Sequence, residues 1–97
     1  MKVVFHPRVV SELKAIIKYY EEVADATLAD EFYNEFRRRV AYAVEHPEYF
    51  SDRVGKFKQV NLKKFPYNFL FRQQDDVIRI LVVRHHARHP KYGTERT

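Results

Sequence analysis

Residues 65–90, FPYNFLFRQQDDVIRILVVRHHARHP, constrain the fold of this chain more than any other stretch. They read as one β-hairpin: a strand opened by Pro66, a polar turn at Gln73-Gln74-Asp75-Asp76, and a long apolar strand from Val77 to His85. Successive strand side chains alternate in direction. In the first strand Tyr67, Phe69 and Phe71 therefore share a face, with Asn68, Leu70 and Arg72 opposite. In the second, Ile78, Ile80 and Val82 share one face and Leu81 and Val83 the other. Apolar residues on both faces predict a central strand. That strand ends in a burst of cations and histidines, and any functional site is expected there.

The rest of the chain reads as scaffold folded onto this hairpin. Lys2 to Phe5 is a short β-rich run, ended by His6-Pro7. Pro7 suits the first turn of a helix, where its missing N–H needs no partner. The helix is expected to run to about Ala24. Val9, Val10, Leu13, Ile16, Ile17 and Tyr20 form its apolar stripe, and Glu12, Lys14, Lys18, Glu21 and Glu22 fall mostly outside it. Asp25-Ala26-Thr27 breaks the pattern, with Thr27 as the expected N-cap. A second helix, with stripe Leu28, Phe32, Phe36, Val40 and Val44, is stopped near His46 by Pro47. So short a break between two amphipathic helices predicts an antiparallel helical hairpin.

Glu48 to Lys56 is expected as a loop, and Lys58 to Lys63 as a strand with Val60 and Leu62 on one face. Gly93 to Thr97 is expected to fray. The order is β-α-α-β-β-β: an α+β fold, with a helical hairpin packed on one face of a mainly antiparallel sheet. The other face is expected to be uncovered and to carry Gln59, Asn61, Lys63, Asn68 and Arg72. A chain of 97 residues is expected to form one domain, spanning 1–97.

Composition narrows the classes. There is no Cys, which excludes disulfides and thiolate metal sites. The opening MKVVFHPRVV lacks the apolar run of a signal peptide, and charges interrupt every hydrophobic run. A soluble, cytoplasmic protein with no membrane contact is the expectation. Charge is segregated: residues 1–52 hold seven Lys/Arg against ten Asp/Glu, and residues 53–97 hold eleven against three. A basic half of this kind attracts phosphates or an acidic partner.

Four constellations could carry chemistry. The first is Arg84-His85-His86-Ala87-Arg88-His89-Pro90-Lys91-Tyr92. Arg offers a fixed donor fork for phosphate or carboxylate, His exchanges protons near neutral pH, and Tyr stacks or donates from its hydroxyl. These are the residue types that metal-free RNA cleavage through the 2′-hydroxyl needs, and equally those of a charged binding surface. The second, His85, His86 and His89, is a poor metal site because adjacent strand residues point to opposite faces. No metal and no cofactor are expected. The third, Lys63-Lys64-Phe65-Pro66-Tyr67, sets cations beside aromatics, with Phe65 expected in the core. The fourth, Arg37-Arg38-Arg39, fans across the outer side of the second helix as a solvated face.

Beyond these features the chain resembles toxins of the ParE/RelE superfamily, from bacterial type II toxin–antitoxin modules. The resemblance is carried by FHPRVVSEL, IIKYYEEVADATLADEF, AVEHPEYF, LKKFPYNFLFR and IRILVVRHHARHPKY. The FPY element and the ending His85-x-x-Arg88-x-Pro90-x-Tyr92 are particularly similar to the ParE branch.

ParE-like members are described as inhibitors of DNA gyrase, and RelE-like members as ribosome-dependent mRNA endoribonucleases. The resemblance implies a toxin neutralised by a cognate antitoxin. Its functional surface would be formed by Tyr67, Arg72, Arg84, His85, His86, Arg88 and Tyr92. Were the chain RelE-like, His86 and Tyr92 would serve in proton transfer or stacking, with Arg72 or Arg84 on phosphate. Such nucleases carry Lys and Arg on the middle strands, Arg near the last strand's end and Tyr near the C-terminus. Here Gln59, Asn61, Asn68 and His86 stand at those places and only Tyr92 is kept, which favours the ParE branch. A third reading is a toxin-derived protein that only binds its partner.

Overall fold

The structure is a computed structural model describing residues 1–97. Seven elements follow one another: β1 (Lys2–Phe5), α1 (Pro7–Val23), α2 (Ala26–Glu45), β2 (Asp52–Val54), β3 (Phe57–Asn61), β4 (Tyr67–Gln74) and β5 (Val77–His85). The strands form one sheet in the order β1-β5-β4-β3-β2. β1 pairs with β5 in parallel, and the remaining pairs are antiparallel. The expected α+β architecture is the one observed; β5 is an interior strand between β1 and β4, and β4 is the middle one.

Local chemistry sets the boundaries. His6 caps α1, its Nδ1 accepting from the Arg8 N–H at 3.1 Å, and Pro7 follows. Asp25, not Thr27, caps α2: its Oδ1 accepts from the Leu28 N–H at 2.9 Å. Asp is as strong a cap as Thr, and capping from Asp25 lets helix geometry begin at Ala26, leaving Thr27 within the first turn. The β4–β5 hairpin turns on Asp75-Asp76 alone, both glutamines remaining in the strand. Asp75 takes the left-handed conformation (φ 56°), which Asp tolerates better than most residues.

The stretch Glu48 to Lys56 is not simply a loop. Pro47–Tyr49 makes a 3-10 turn and Asp52–Val54 pairs with β3 as a short edge strand. Three residues are too few to show an alternation in sequence.

The core lies between the helical hairpin and the sheet. Val9, Phe32, Phe36, Val60, Phe69, Phe71, Ile78 and Ile80 pack there with almost no exposure. Phe65 and Tyr67 meet Tyr20 and Phe32 edge to face, with ring centroids 5.3–5.5 Å apart for the closest pairs, and Tyr20 and Phe32 lie tilted at 5.8 Å. Such geometry adds to what burial alone contributes.

One irregularity redirects β5. Leu70 pairs with Val82 and Phe71 with Ile80, so Leu81 is an extra residue, a β-bulge. Beyond it the alternation reverses. Val83 joins Ile78 and Ile80 in the core, and Val82 turns to the opposite face. The simple alternation of Ile78, Ile80 and Val82 therefore fails at Leu81.

The face away from the helices is also not bare. Leu70, Val82 and Asn68 are buried on it, and Gly93 sits against Val82. The C-terminal segment covers this end of the sheet. It does not fray: Arg96 is buried, and its two terminal nitrogens are held by Glu12 and the Leu81 carbonyl.

Candidate functional site

The site is built where β1 stops short. β1 pairs with β5 only as far as Phe5 and Ile80, which leaves the edge of β5 unpaired from Leu81 onward. Two side chains satisfy that edge. Glu12, from α1, accepts from the Val83 N–H at 3.0 Å, and Arg96 donates to the Leu81 carbonyl at 3.1 Å. Buried main-chain groups need such partners. The C-terminal segment is thereby strapped across the open edge.

Glu12 is the centre of this arrangement. Its carboxylate also receives Tyr92 Oη at 2.8 Å and both terminal nitrogens of Arg96, at 2.9 and 3.0 Å. Burial opposes the charge on Arg96, but the hydrogen bonds and charge of Glu12, helped by Tyr92, raise its pKa overall. Neither residue stood out in sequence. Glu12 falls outside the apolar stripe of α1 among other charged residues, and its partner lies 84 positions away.

Arg84 is the second strut. It is 6% exposed, and its guanidinium donates to Asn68 Oδ1 at 3.2 Å and to the carbonyls of Pro90 at 2.6 Å and Tyr92 at 3.1 Å. Burial lowers its pKa from the usual value. Asn68 passes the chain of bonds on, its Nδ2 donating to His86 Nδ1 at 3.0 Å. A neutral His86 accepting there carries its proton on Nε2. Asn68 thus ties β4 to two residues at the end of β5.

A concavity of about 290 Å³ lies between α1 and this strand end. Tyr67, Arg84, His85, Arg88 and Tyr92 line it, with Glu12 and Tyr19 from α1. The ring of His85 stands edge-on to Tyr67 at 5.1 Å, and its Nδ1 accepts from the Ala87 N–H. The Arg88 guanidinium lies 4.5 Å from the centroid of the Tyr92 ring. Two expected residues lie elsewhere. His86 turns toward Asn68, outside this concavity. Arg72 lines a polar recess with Asp52, Lys56 and Lys58, toward the β2 side of the sheet.

The arrangement offers a polar rim, His85 and the cation Arg88, around an aromatic floor. The cation deepest in it, Arg84, is already engaged with uncharged acceptors.

A second surface lies across the helical hairpin. An apolar groove of about 800 Å³ runs between α1 and α2 and reaches β1. Val10, Leu13, Ile17, Phe36, Val40 and Phe5 line it, and Val10 is 49% exposed. The groove leaves part of this apolar lining open to solvent.

Three comparisons with known proteins bear on this geometry. A family model described as the ParE toxin of the type II toxin-antitoxin system, parDE, matches residues 3–90. No curated protein matches the chain. Among solved structures, a chain from the chromosomal ParDE TA system of P. aeruginosa superposes with a TM-score of 0.78 at 17% identity, covering 88% of this chain and 95% of that one. At that identity the likeness concerns the fold.

Proposed function

This chain belongs to the ParE toxin family of type II toxin–antitoxin systems, and on that premise we propose that it inhibits DNA gyrase by protein–protein contact until an antitoxin neutralises it. The contact surface is the rim formed by His85, Arg88 and Tyr92 with Tyr67 beneath. Exposed charge steers a partner and aromatic rings anchor it.

The engagement of Arg84 and Tyr92 carries this reading against a nuclease. Metal-free cleavage of RNA needs a cation free to meet the phosphate and a group free to move a proton. Of the residues a RelE-like nuclease would use at the end of β5, Arg84 is committed to Asn68 Oδ1 and two carbonyls, and Tyr92 Oη to Glu12. Both hold the C-terminal segment in place, which suits a rigid binding surface.

Family membership implies an antitoxin partner. The apolar groove between α1 and α2 is the surface it would cover, since burying Val10, Leu13 and Phe36 supplies hydrophobic driving force.

The test is to induce the chain alone in growing cells and follow plasmid supercoiling and mRNA integrity together. Loss of supercoiling with intact mRNA is expected. Prompt mRNA cleavage with normal supercoiling overturns the proposal in favour of a RelE-like nuclease. Unaffected growth overturns it in favour of a family member that only binds its partner.

A further inference from the structure

Two cationic motifs that are separate in sequence meet in space. Arg38 and Arg39 come from α2, and Lys63 and Lys64 from the connection between β3 and β4. All four line one concavity of about 390 Å³, together with Glu35 and Tyr42. It shares no residue with the concavity at the end of β5.

The concavity is held in place by its acid. Glu35 is 5% exposed, and its carboxylate accepts from the main-chain N–H groups of both Lys63 and Lys64. That fixes the connection against α2 and leaves both lysine side chains at the surface. Arg39 is anchored by its Nε on the Asn61 carbonyl at 3.1 Å. None of the four cations forms an ion pair within the chain; the salt bridges lie elsewhere. Four cations face a single carboxylate, Glu35, which is taken up by main-chain N–H groups, so the cluster stays net positive and favours an external anion.

Aromatic rings adjoin it. Tyr42 lines the concavity and contacts His46, Tyr49 and Phe50. His46 and Tyr49 stack in parallel, 5° apart in plane and 4.6 Å between centroids. Tyr49 is 62% exposed. An acidic protein segment would use the cations and have no need of a bare aromatic face. A nucleotide chain uses both: phosphates on the cations, a base stacked on the ring.

We propose that Arg38, Arg39, Lys63 and Lys64, with the Tyr42–Tyr49 aromatic surface, form a binding site for single-stranded nucleic acid. The site goes beyond the gyrase reading and does not depend on it. Recognition is through backbone and stacking, without base sequence.

The test is fluorescence anisotropy of a 5′-labelled 12-mer of thymidylate with the purified full chain over a salt series. Binding is expected to weaken with salt at a slope of about −2 to −3 in log–log form, as four phosphate contacts to a single strand require. The double variant Lys63→Gln/Lys64→Gln is expected to lose roughly tenfold in affinity at low salt and to flatten that slope by about one. Arg38→Gln, at an exposed helix position whose side chain makes no hydrogen bond or ion pair within the chain, is expected to lose several-fold. Tyr49→Ala is expected to weaken binding at least severalfold with the slope unchanged, because stacking releases no counterions. The control is Lys2→Gln/Lys18→Gln, which removes equal charge from β1 and α1 and is expected to bind as the unaltered chain does.

Absence of binding, or an equal loss in the control, overturns the proposal. Unaltered affinity in Tyr49→Ala, together with displacement of the oligonucleotide by polyglutamate of equal charge, overturns it in favour of an acidic polypeptide. Thermal melting of each variant separates lost binding from lost fold. Arg38→Gln keeps the test decisive where the double lysine variant melts early.

Discussion

Glu12 and Arg96, 84 residues apart, close the chain on itself through two contacts of 2.9 and 3.0 Å. Their side chains are 12% and 4% exposed. The pair sits where β1 ends and the edge of β5 becomes free, so one carboxylate serves a main-chain N–H, a guanidinium and a phenol together. The C-terminal segment owes its position to this junction and to Arg84.

Removing the carboxylate leaves a buried arginine without its counter-charge. Glu12→Ala is expected to cost about 3 kcal/mol, as breaking one side of a buried pair does. Glu12→Gln should cost less, because an amide still accepts from the Val83 N–H. Urea denaturation measures both losses. Hydrogen exchange should show residues 90–97 losing protection first, and uniform loss across the chain would contradict a local strap.

Glu35→Ala should act on the connection between β3 and β4. Two main-chain N–H groups, of Lys63 and Lys64, lose their acceptor. A loss of about 2–3 kcal/mol is expected, since hydrogen bonds to charged groups are the stronger kind. Amide exchange at Lys63 and Lys64 should accelerate well beyond that of β4. Unchanged exchange there would show that the carboxylate does not hold the connection.

Much of this fold was legible in sequence because its signals are periodic. The stripes of α1 and α2 and the bounds of β5 needed only spacing and a helix-starting Pro7. What escaped was non-periodic. The bulge at Leu81 adds one residue to a strand that looks uniform, and only pairing with Leu70 and Phe71 exposes it. The expected site shows the same division. Residue types placed His85, Arg88 and Tyr92 together, since they lie close in sequence. Glu12 reads as one more helix-surface charge until the fold brings Arg96 to it. Arg84 looked like a surface cation, and only the returning segment, with the Pro90 and Tyr92 carbonyls, makes it a buried strut.

Gly93 is required twice over. Its φ is +81°, and a Cβ there would lie 2.5 Å from Val82 Cγ2. Gly93→Ala is expected to destabilise by about 2–3 kcal/mol, combining backbone strain with overpacking. Adding Val82→Gly removes all three Val82 carbons that the new Cβ would meet and leaves the strain, so relative to Val82→Gly alone the cost of Gly93→Ala should shrink to about 1–2 kcal/mol. A cost that does not shrink, read from urea midpoints, would place the whole effect in the backbone.

Alkali should loosen the aromatic core. Burial raises the Tyr67 and Tyr20 phenols above the ordinary value of 10.0. The folded state therefore holds these protons more tightly than the unfolded chain. The stability linked to them is fully present below pH 10.0 and is lost as pH rises from there through the folded-state values. Urea midpoints should fall steeply above about pH 10. Tyr67→Phe should make that fall shallower, and an unchanged slope would show that Tyr67 does not contribute to it.

Arg88 and Arg84 should separate binding from stability. Arg88 is exposed and meets only the ring of Tyr92, so Arg88→Ala should shift the melting temperature by no more than about 2–4 °C. At the proposed gyrase contact it is a rim charge, and its loss should slow association several-fold at low salt, with the difference shrinking as salt rises. Arg84→Ala removes three hydrogen bonds beneath the same surface. It should lower both stability and binding, because the carbonyls of Pro90 and Tyr92 lose their donor and the rim loses its support. Surface-immobilised gyrase, with each variant in solution over a salt series, measures both rates. An Arg88→Ala association rate equal to that of the unaltered chain at every salt concentration would move the contact surface away from the end of β5.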